Sequence, residues 1–167
     1  MPANRRDLMA FLAQHDIIVR THDHIPVFTV EEAKLVHGDI AGGHCKNLFC
    51  KDDKGVLWLI VALEDARINL KTAPDKMGSK RLSFGKPELL LEILGVLPGS
   101  VTPFGLINDK NQRVQVILDA AMMTVEVLNF HPLENAATTS ITSVDLVRFI
   151  KACGHRPRIV KVSDPEA

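Results

Sequence analysis

Eight consecutive residues, Val56 to Leu63 (VLWLIVAL), carry no charge and no turn-forming residue, and they directly follow Asp52-Asp53-Lys54-Gly55. A run of that length bounded by a tight-turn sequence reads as a strand buried on both faces. Its partner across the turn, His44 to Lys51, alternates in polarity, so the two form a hairpin. The remaining elements are helices and short strands in irregular order. The fold class expected is therefore α+β: one compact domain over 1–167, with a mixed, largely antiparallel, curved sheet flanked by helices. A chain of 167 residues with 46% hydrophobic content is large enough to bury such a core, which excludes disordered, fibrous and repeat architectures.

Local signals place the other elements. Asn4 caps a helix carrying Leu8, Phe11, Leu12 and His15, and Ile17 to Thr21 follows as a strand. Thr29 and Glu32 have capping-box spacing for a short helix from Val30 to His37, stopped by Gly38, with a glycine-bearing loop over Asp39 to Gly43. Pro87 opens a helix over Lys86 to Leu94 that Gly95 ends. Leu106-Ile107, Val114 to Leu118 and Thr124 to Phe130 read as short, antiparallel strands. Thr142 caps a helix running to Cys153, and Arg158 to Val162 is a last strand.

Charge and motif content exclude several functions. Twenty cationic residues balance twenty acidic ones, so no global positive field draws the chain to nucleic acid or anionic membrane. Contact with nucleic acid then needs a local patch. Two segments qualify: Lys71 to Lys86 holds five cations and one acid, and Arg148 to Lys161 holds five cations and no acid. A solvated face is the plain alternative for either. No apolar run reaches bilayer length and the first residues lack a signal core, so a cytoplasmic protein without a membrane partner is expected. Cys45, Cys50 and Cys153 are expected to be reduced thiols. His22, His24, His37 and His44 invite a metal, but no ligand set at a recognisable spacing completes them. Cys45 beside His44 would point to the opposite strand face, which argues against a thiol nucleophile paired with that base. Ser83, Ser100, Thr102 and Ser140 lie in no Gly-x-Ser-x-Gly elbow, and the phosphate-cradling glycine motifs are absent. Lys46 stands out, because it shares a strand face with Leu48 and Cys50. Either it is carried toward the interior or a cleft, or Leu48 faces outward and Lys46 snorkels at the strand end.

The ordered set Gly43-His-Cys-Lys46-Asn47-Leu48-Phe49-Cys50-Lys51-Asp52, Leu82-Ser83-Phe84, Gly99-Ser-Val-Thr-Pro103 with Phe104-Gly-Leu-Ile-Asn108-Asp109, and Asn129-Phe130-His131-Pro132-Leu133 resembles the YbaK/ProX family. These are trans-acting aminoacyl-tRNA deacylases, freestanding relatives of the editing domain inserted into bacterial prolyl-tRNA synthetase. The similarity runs from about Leu8 to Val162 and favours the branch that hydrolyses Ala-tRNA(Pro). The resemblance implies a pocket for the aminoacylated 3′ end of tRNA(Pro), with prolyl-tRNA synthetase as a further partner, no cofactor or metal, and action as a monomer. By position it implies catalytic roles for Lys46, Asn47, Gly99 and His131. It also implies a substrate pocket of Val30, Leu48, Ser100, Val101, Thr102, Pro103 and Phe130, and acceptor-stem contacts from Lys51, Lys80 and Arg81. Val30 and Phe130 read equally well as ordinary core. Cys45 and Cys50 depart from the residues such a family would carry there, which bears on pocket volume.

The implied chemistry is hydrolysis of an activated ester, which needs positioned water and stabilisation of charge on the carbonyl oxygen rather than a covalent intermediate. Lys46 would anchor the terminal phosphate or ribose, the Gly99 to Pro103 amides would polarise the carbonyl, and His131 would shape the pocket wall or shuttle a proton. Alternatives are another mischarged substrate, Cys-tRNA(Pro) or Ser-tRNA, or a non-catalytic module that binds nucleic acid or an amino acid.

Overall fold

The computed structural model describes residues 2–26, 31–32, 35, 38 and 40–164. Eight strands form one mixed sheet in the order β1-β7-β6-β2-β3-β5-β8, with β4 paired beside β6 on the same edge of β2. The strands are β1 Arg20–Asp23, β2 Gly43–Asp52, β3 Leu57–Leu63, β4 Leu82–Phe84, β5 Val114–Asp119, β6 Val127–Phe130, β7 Ala137–Thr142 and β8 Arg158–Val160. The described helices are α1 Arg5–Gln14, α2 Ala73–Met77, α3 Pro87–Leu94 and α4 Ser143–Ala152, with 3-10 turns over Pro103–Asn108 and Met122–Thr124. Among these residues no helix is long and apolar enough to cross a membrane.

The hairpin forms as its alternation requires. β2 and β3 are antiparallel from Cys45↔Leu63 to Lys51↔Leu57, and β3 is buried on both faces up to Leu63. Asp52 organises the turn: its carboxylate accepts from the Lys54 and Val56 amides at 3.0 Å each and from Trp58 Nε1 at 3.1 Å. The caps also form. Asn4 and Asp7 exchange side-chain-to-backbone bonds at the start of α1, Pro87 opens α3, and Thr142 Oγ1 accepts from the Asp145 amide.

One sheet face carries the main core. Leu57, Leu59 and Val61 of β3, Val114, Val116 and Leu118 of β5, Phe49 of β2 and Phe130 of β6 pack against α1, α3 and α4. Phe104 joins them edge-on, 5.2 Å from Phe149 and 6.1 Å from Phe130, a geometry adding about 0.5–1.5 kcal/mol per ring pair beyond burial. The opposite, back face carries a smaller cluster: Cys50, Trp58, Ile60 and Ile117, covered by Ala73 and Met77 of α2.

Several expected elements differ. The strand expected over Ile17 to Thr21 begins only at Arg20, because Asp16 turns left-handed (φ 57°) and the Ile17 amide still bonds Leu12, so pairing with β7 starts later. Leu106 and Ile107 are not a strand: Pro103 and the Thr102 hydroxyl, which accepts from the Phe104 amide, initiate a 3-10 helix through them. Met122–Thr124 is likewise 3-10, so β6 starts at Val127. The antiparallel reading of this region is also corrected, since β5 runs parallel to both β3 and β8. Across the whole sheet four pairings are antiparallel and three parallel. β8 ends at Val160, where the Asp119 carboxylate captures the Val162 and Ser163 amides instead. Strand β7, four of whose six residues are Thr or Ser, and the short α2 and β4 had no clear sequence signal. The helix expected over Val30 to His37 lies mostly outside the described residues.

Candidate active site

Strand register decides which predicted residues meet. His44 lies beside Asn129, Asn129 opposite Ser140, and Thr138 opposite His22. These residues therefore share one face across β2, β6, β7 and β1, and it is the back face, because Leu128, Phe130 and Ile141 point the other way into the main core. Two residues further along β2, Lys46 stands on the same face as His44. His131, two residues after Asn129, has its ring centroid 6.4 Å from that of His24. Lys46 and His131, separated by eighty-five positions in sequence, are thus brought to one face. It is polar along β1, β7, β6 and the start of β2, and apolar where β2, β3 and β5 meet α2.

Side-chain hydrogen bonds hold this face rigid. Asn129 Nδ2 donates to the carbonyls of Ala41 (3.1 Å) and Gly43 (3.2 Å), and Asn129 Oδ1 accepts from Ser140 Oγ at 2.5 Å. This pins the entry to β2, where Gly42 (φ 104°) comes so close to β6 that a Cβ would sit 2.9 Å from the Val127 carbonyl oxygen. His44 Nε2 donates to the Ile40 carbonyl at 3.0 Å. His131 Nδ1 donates to the Ala137 carbonyl at 2.9 Å, which leaves the lone pair of the neutral ring on Nε2. Burial lowers the His131 pKa from its ordinary value, and nearby His24 adds to that, outweighing the Ala137 bond. Lys46 is half-buried and its ammonium donates to the Ala66 carbonyl just beyond β3.

Among the described residues, no strand pairs with the middle of the β2 edge beside this face. Its ladder to β6 ends at His44 and its ladder to β4 begins at Cys50. The Phe49 carbonyl accepts from Gly85 on the β4 side, whereas the His44 carbonyl accepts from Glu64 on the β3 side. Odd-numbered residues of β2 therefore aim their backbone groups at the gap, and the Asn47 N–H and C=O have no ladder partner among the described residues.

The other predicted residues fall elsewhere. The Asn47 side chain is on the main-core face, with Oδ1 buried and unpartnered. Phe130 is 3% exposed within the main core and shares no wall with Lys46. Leu48 is on the Lys46 face but packs on the smaller cluster, whereas Val101 packs on the main one. Gly99 is exposed at φ 93°, Ser100, Thr102 and Pro103 are buried, and Thr102 caps the 3-10 helix. No hydrogen bond among the described residues joins this loop to Lys46 or His131. Val30 lies outside the described residues. Lys51, Lys80 and Arg81 are all exposed; Lys51 pairs with Ser83 across the β2–β4 ladder, two positions beyond Arg81. Asn129, Ser140 and His44 were not assigned to the site from sequence. The signal was present in Asn129-Phe130-His131, where strand alternation puts the two polar side chains on one face and Phe130 on the other.

The thiols offer no nucleophile. Burial pushes Cys45, Cys50 and Cys153 each up to about 12, and none is in a disulfide.

Comparison with known proteins supplies the decisive observation. The family model of the aminoacyl-tRNA editing domain matches residues 24–149. The chain belongs to this family. It is a family of aminoacyl-tRNA deacylases, which are hydrolases. The chain is 40% identical over 161 residues to a prolyl-tRNA synthetase associated domain-containing protein 1 from Xenopus laevis, covering 93% of this chain and 95% of that one. It is 36% identical over 141 residues to the prolyl-tRNA editing protein ProX of Acetoanaerobium sticklandii, covering 84% and 86%. A solved structure described as a trans-editing enzyme candidate for prolyl tRNA synthetase superposes with a TM-score of 0.69 at 21% identity, covering 96% of this chain and 98% of that chain, which shows the shared editing-domain fold. Sequence resemblance, family match and fold agree.

Proposed function

We propose that this editing domain acts in trans on mischarged Ala-tRNA(Pro), hydrolysing the ester between alanine and the terminal ribose. In this reading 1–167 is one deacylase domain working as a cytoplasmic monomer, with prolyl-tRNA synthetase as its source of substrate. The observation that carries the site assignment is the placement of Lys46 and His131 on one polar face beside an unpaired stretch of β2.

An aminoacyl ester needs a positioned water and a donor for the developing oxyanion. The Lys46 ammonium, which donates to the Ala66 carbonyl, can exchange that partner for a phosphate or for the ester oxygen. The Asn47 N–H, which has no ladder partner among the described residues, is a second donor for the carbonyl oxygen. Water attacks the carbonyl carbon, the tetrahedral adduct collapses, and the ribose oxygen leaves with a proton passed through the neighbouring hydroxyl. His131 Nε2, carrying a lone pair, accepts from the attacking water or from the alanine ammonium and so sets its orientation. The need for such a step follows from magnitude: each missing methylene is worth only about 1–3 kcal/mol of discrimination and alanine lacks just two of proline's ring carbons, so a prolyl-activating site still admits some alanine and a second site must remove it.

The test is deacylation of purified Ala-tRNA(Pro), with Pro-tRNA(Pro), Cys-tRNA(Pro), Ser-charged tRNA and Ala-tRNA(Ala) alongside, by wild type and Lys46→Ala. Loss of alanine from tRNA(Pro) that depends on Lys46 is expected. Equal turnover by Lys46→Ala refutes the site, faster turnover of another charged tRNA changes the substrate, and no turnover on any leaves a binding module.

A further inference from the structure

Among the described phenylalanines and the single tryptophan, only Phe84 is exposed, at 65%. It is held there firmly. β4 is hydrogen-bonded to β2 with Cys50↔Phe84, Lys51↔Ser83 and Asp52↔Leu82 in register, and the Gly85 amide donates to the Phe49 carbonyl at 2.8 Å. Because Phe84 lies opposite Cys50, its ring is on the back face, where the unpaired stretch of β2 ends and about 13 Å along the strand from Lys46. Exposed cations flank it along the chain, Lys80 and Arg81 before β4 and Lys86 after it, against the exposed Asp53 and Glu88, whereas Lys51, opposite Ser83, stands on the other face of the sheet. The main-chain course of the cationic turn is fixed, since the Lys80 amide donates to Asp52 at 3.3 Å and the Asp53 amide to the Arg81 carbonyl at 3.1 Å.

A rigid, solvent-facing ring amid cations fits a single-stranded nucleic acid, whose bases offer a π-face whatever their identity and whose phosphates take the charges. We propose that Phe84 is a stacking platform for an unpaired base of the tRNA 3′ end, with Lys80 and Arg81, which lead into β4, on the adjoining phosphates. The proposal rests on the deacylase reading for its substrate and adds a contact remote from the ester. The ring grips the strand while Lys46 meets the aminoacyl end, and sequence selectivity is absent at this point.

The ring is exposed, so substitutions there leave the fold intact, which a circular dichroism spectrum checks. Phe84→Ala should raise KM for charged tRNA about fivefold to 150-fold, with kcat changed less than twofold, and should weaken binding of an uncharged single-stranded oligonucleotide ending in CCA by the same factor. Phe84→Trp should restore both values. Its indole fluorescence should be quenched by the oligonucleotide and not by one whose terminal positions are abasic, the native Trp58 being only 6% exposed. Unchanged KM and oligonucleotide affinity in Phe84→Ala, or an unquenched indole, would overturn the proposal. So would a Phe84→Ala defect confined to binding a protein partner such as a synthetase. Failure of wild type to deacylate any charged tRNA would instead defeat the deacylase reading, and the oligonucleotide arms would still decide whether the ring stacks on bases.

Discussion

Gly85 sets how closely β4 approaches β2, and replacing it with alanine tests that packing quantitatively. A Cβ built there would lie 2.3 Å from Phe49 Cδ2 and 2.5 Å from Cε2. Carbon atoms pack at about 3.5–4.0 Å, so β4 or the ring must move by more than about 1 Å. Phe49 cannot withdraw easily, being 5% exposed within the main core. Overpacking of this kind costs about 1–3 kcal/mol, and displacing β4 also weakens the 2.8 Å bond from Gly85 to Phe49, worth about 1 kcal/mol. The alanine recovers about 0.4–1 kcal/mol through a less flexible denatured chain. The net expectation is destabilisation by about 2 kcal/mol, read as a fall of about 1 M in the urea midpoint at unchanged slope. A second substitution isolates the cause. Phe49→Leu removes the ring atoms in question, so Gly85→Ala should cost about 0.5–3 kcal/mol less in that background than alone. If Gly85→Ala leaves the midpoint unmoved, or costs the same with Phe49→Leu, then β4 is not held by this contact.

Two further outcomes concern buried ionisable groups. His155 Nε2 meets Asp109 Oδ2 at 2.9 Å with both side chains 2% exposed, so His155→Ala, which removes a buried hydrogen bond to a carboxylate, should destabilise by about 1.5–3 kcal/mol in urea titrations at pH 7. Burial pushes the Asp109 carboxyl up, but the His155 bond and the Val114 and Arg113 amides outweigh it and hold the group below its ordinary value. The stabilisation is therefore complete above the ordinary carboxylate range and is lost as pH falls from that range through the lowered folded-state value; a His155→Ala deficit that did not shrink on acidification would contradict this. The His131 pKa is lowered, mainly by burial, so the unfolded chain takes up a proton first as pH falls below about 6.5, and the folded state loses stability there. Urea midpoints at pH 7 and pH 5 should diverge less in His131→Gln than in wild type.

Local elements were legible because their causes are local. The Asn4 and Thr142 caps, Pro87 at the start of α3 and the hairpin turn each act over three or four residues, and each forms as read. Where tertiary pairing outweighs propensity, the reading failed. Leu106 and Ile107 have strand-forming side chains, yet the Thr102 cap and Pro103 start a helical turn that buries Leu106 beneath the sheet. Ala137–Thr142 has no apolar alternation, yet it forms a strand because β1 and β6 pair with it on either side.

The sequence by itself determined the hairpin, the capped helices and, through an ordered set of motifs, membership in an editing-domain family. It also brought forward Lys46 and His131 as members of one site. Only the tertiary structure decided how the rest of that set divides. Adjacent residues of a strand point to opposite faces, so Asn47 and Phe130 look into the main core while Lys46 and His131 look away from it. The open edge of β2 and the exposed ring of Phe84 at its end exist because β6 and β4 pair with different parts of one strand, and strand register is a property of the assembled sheet.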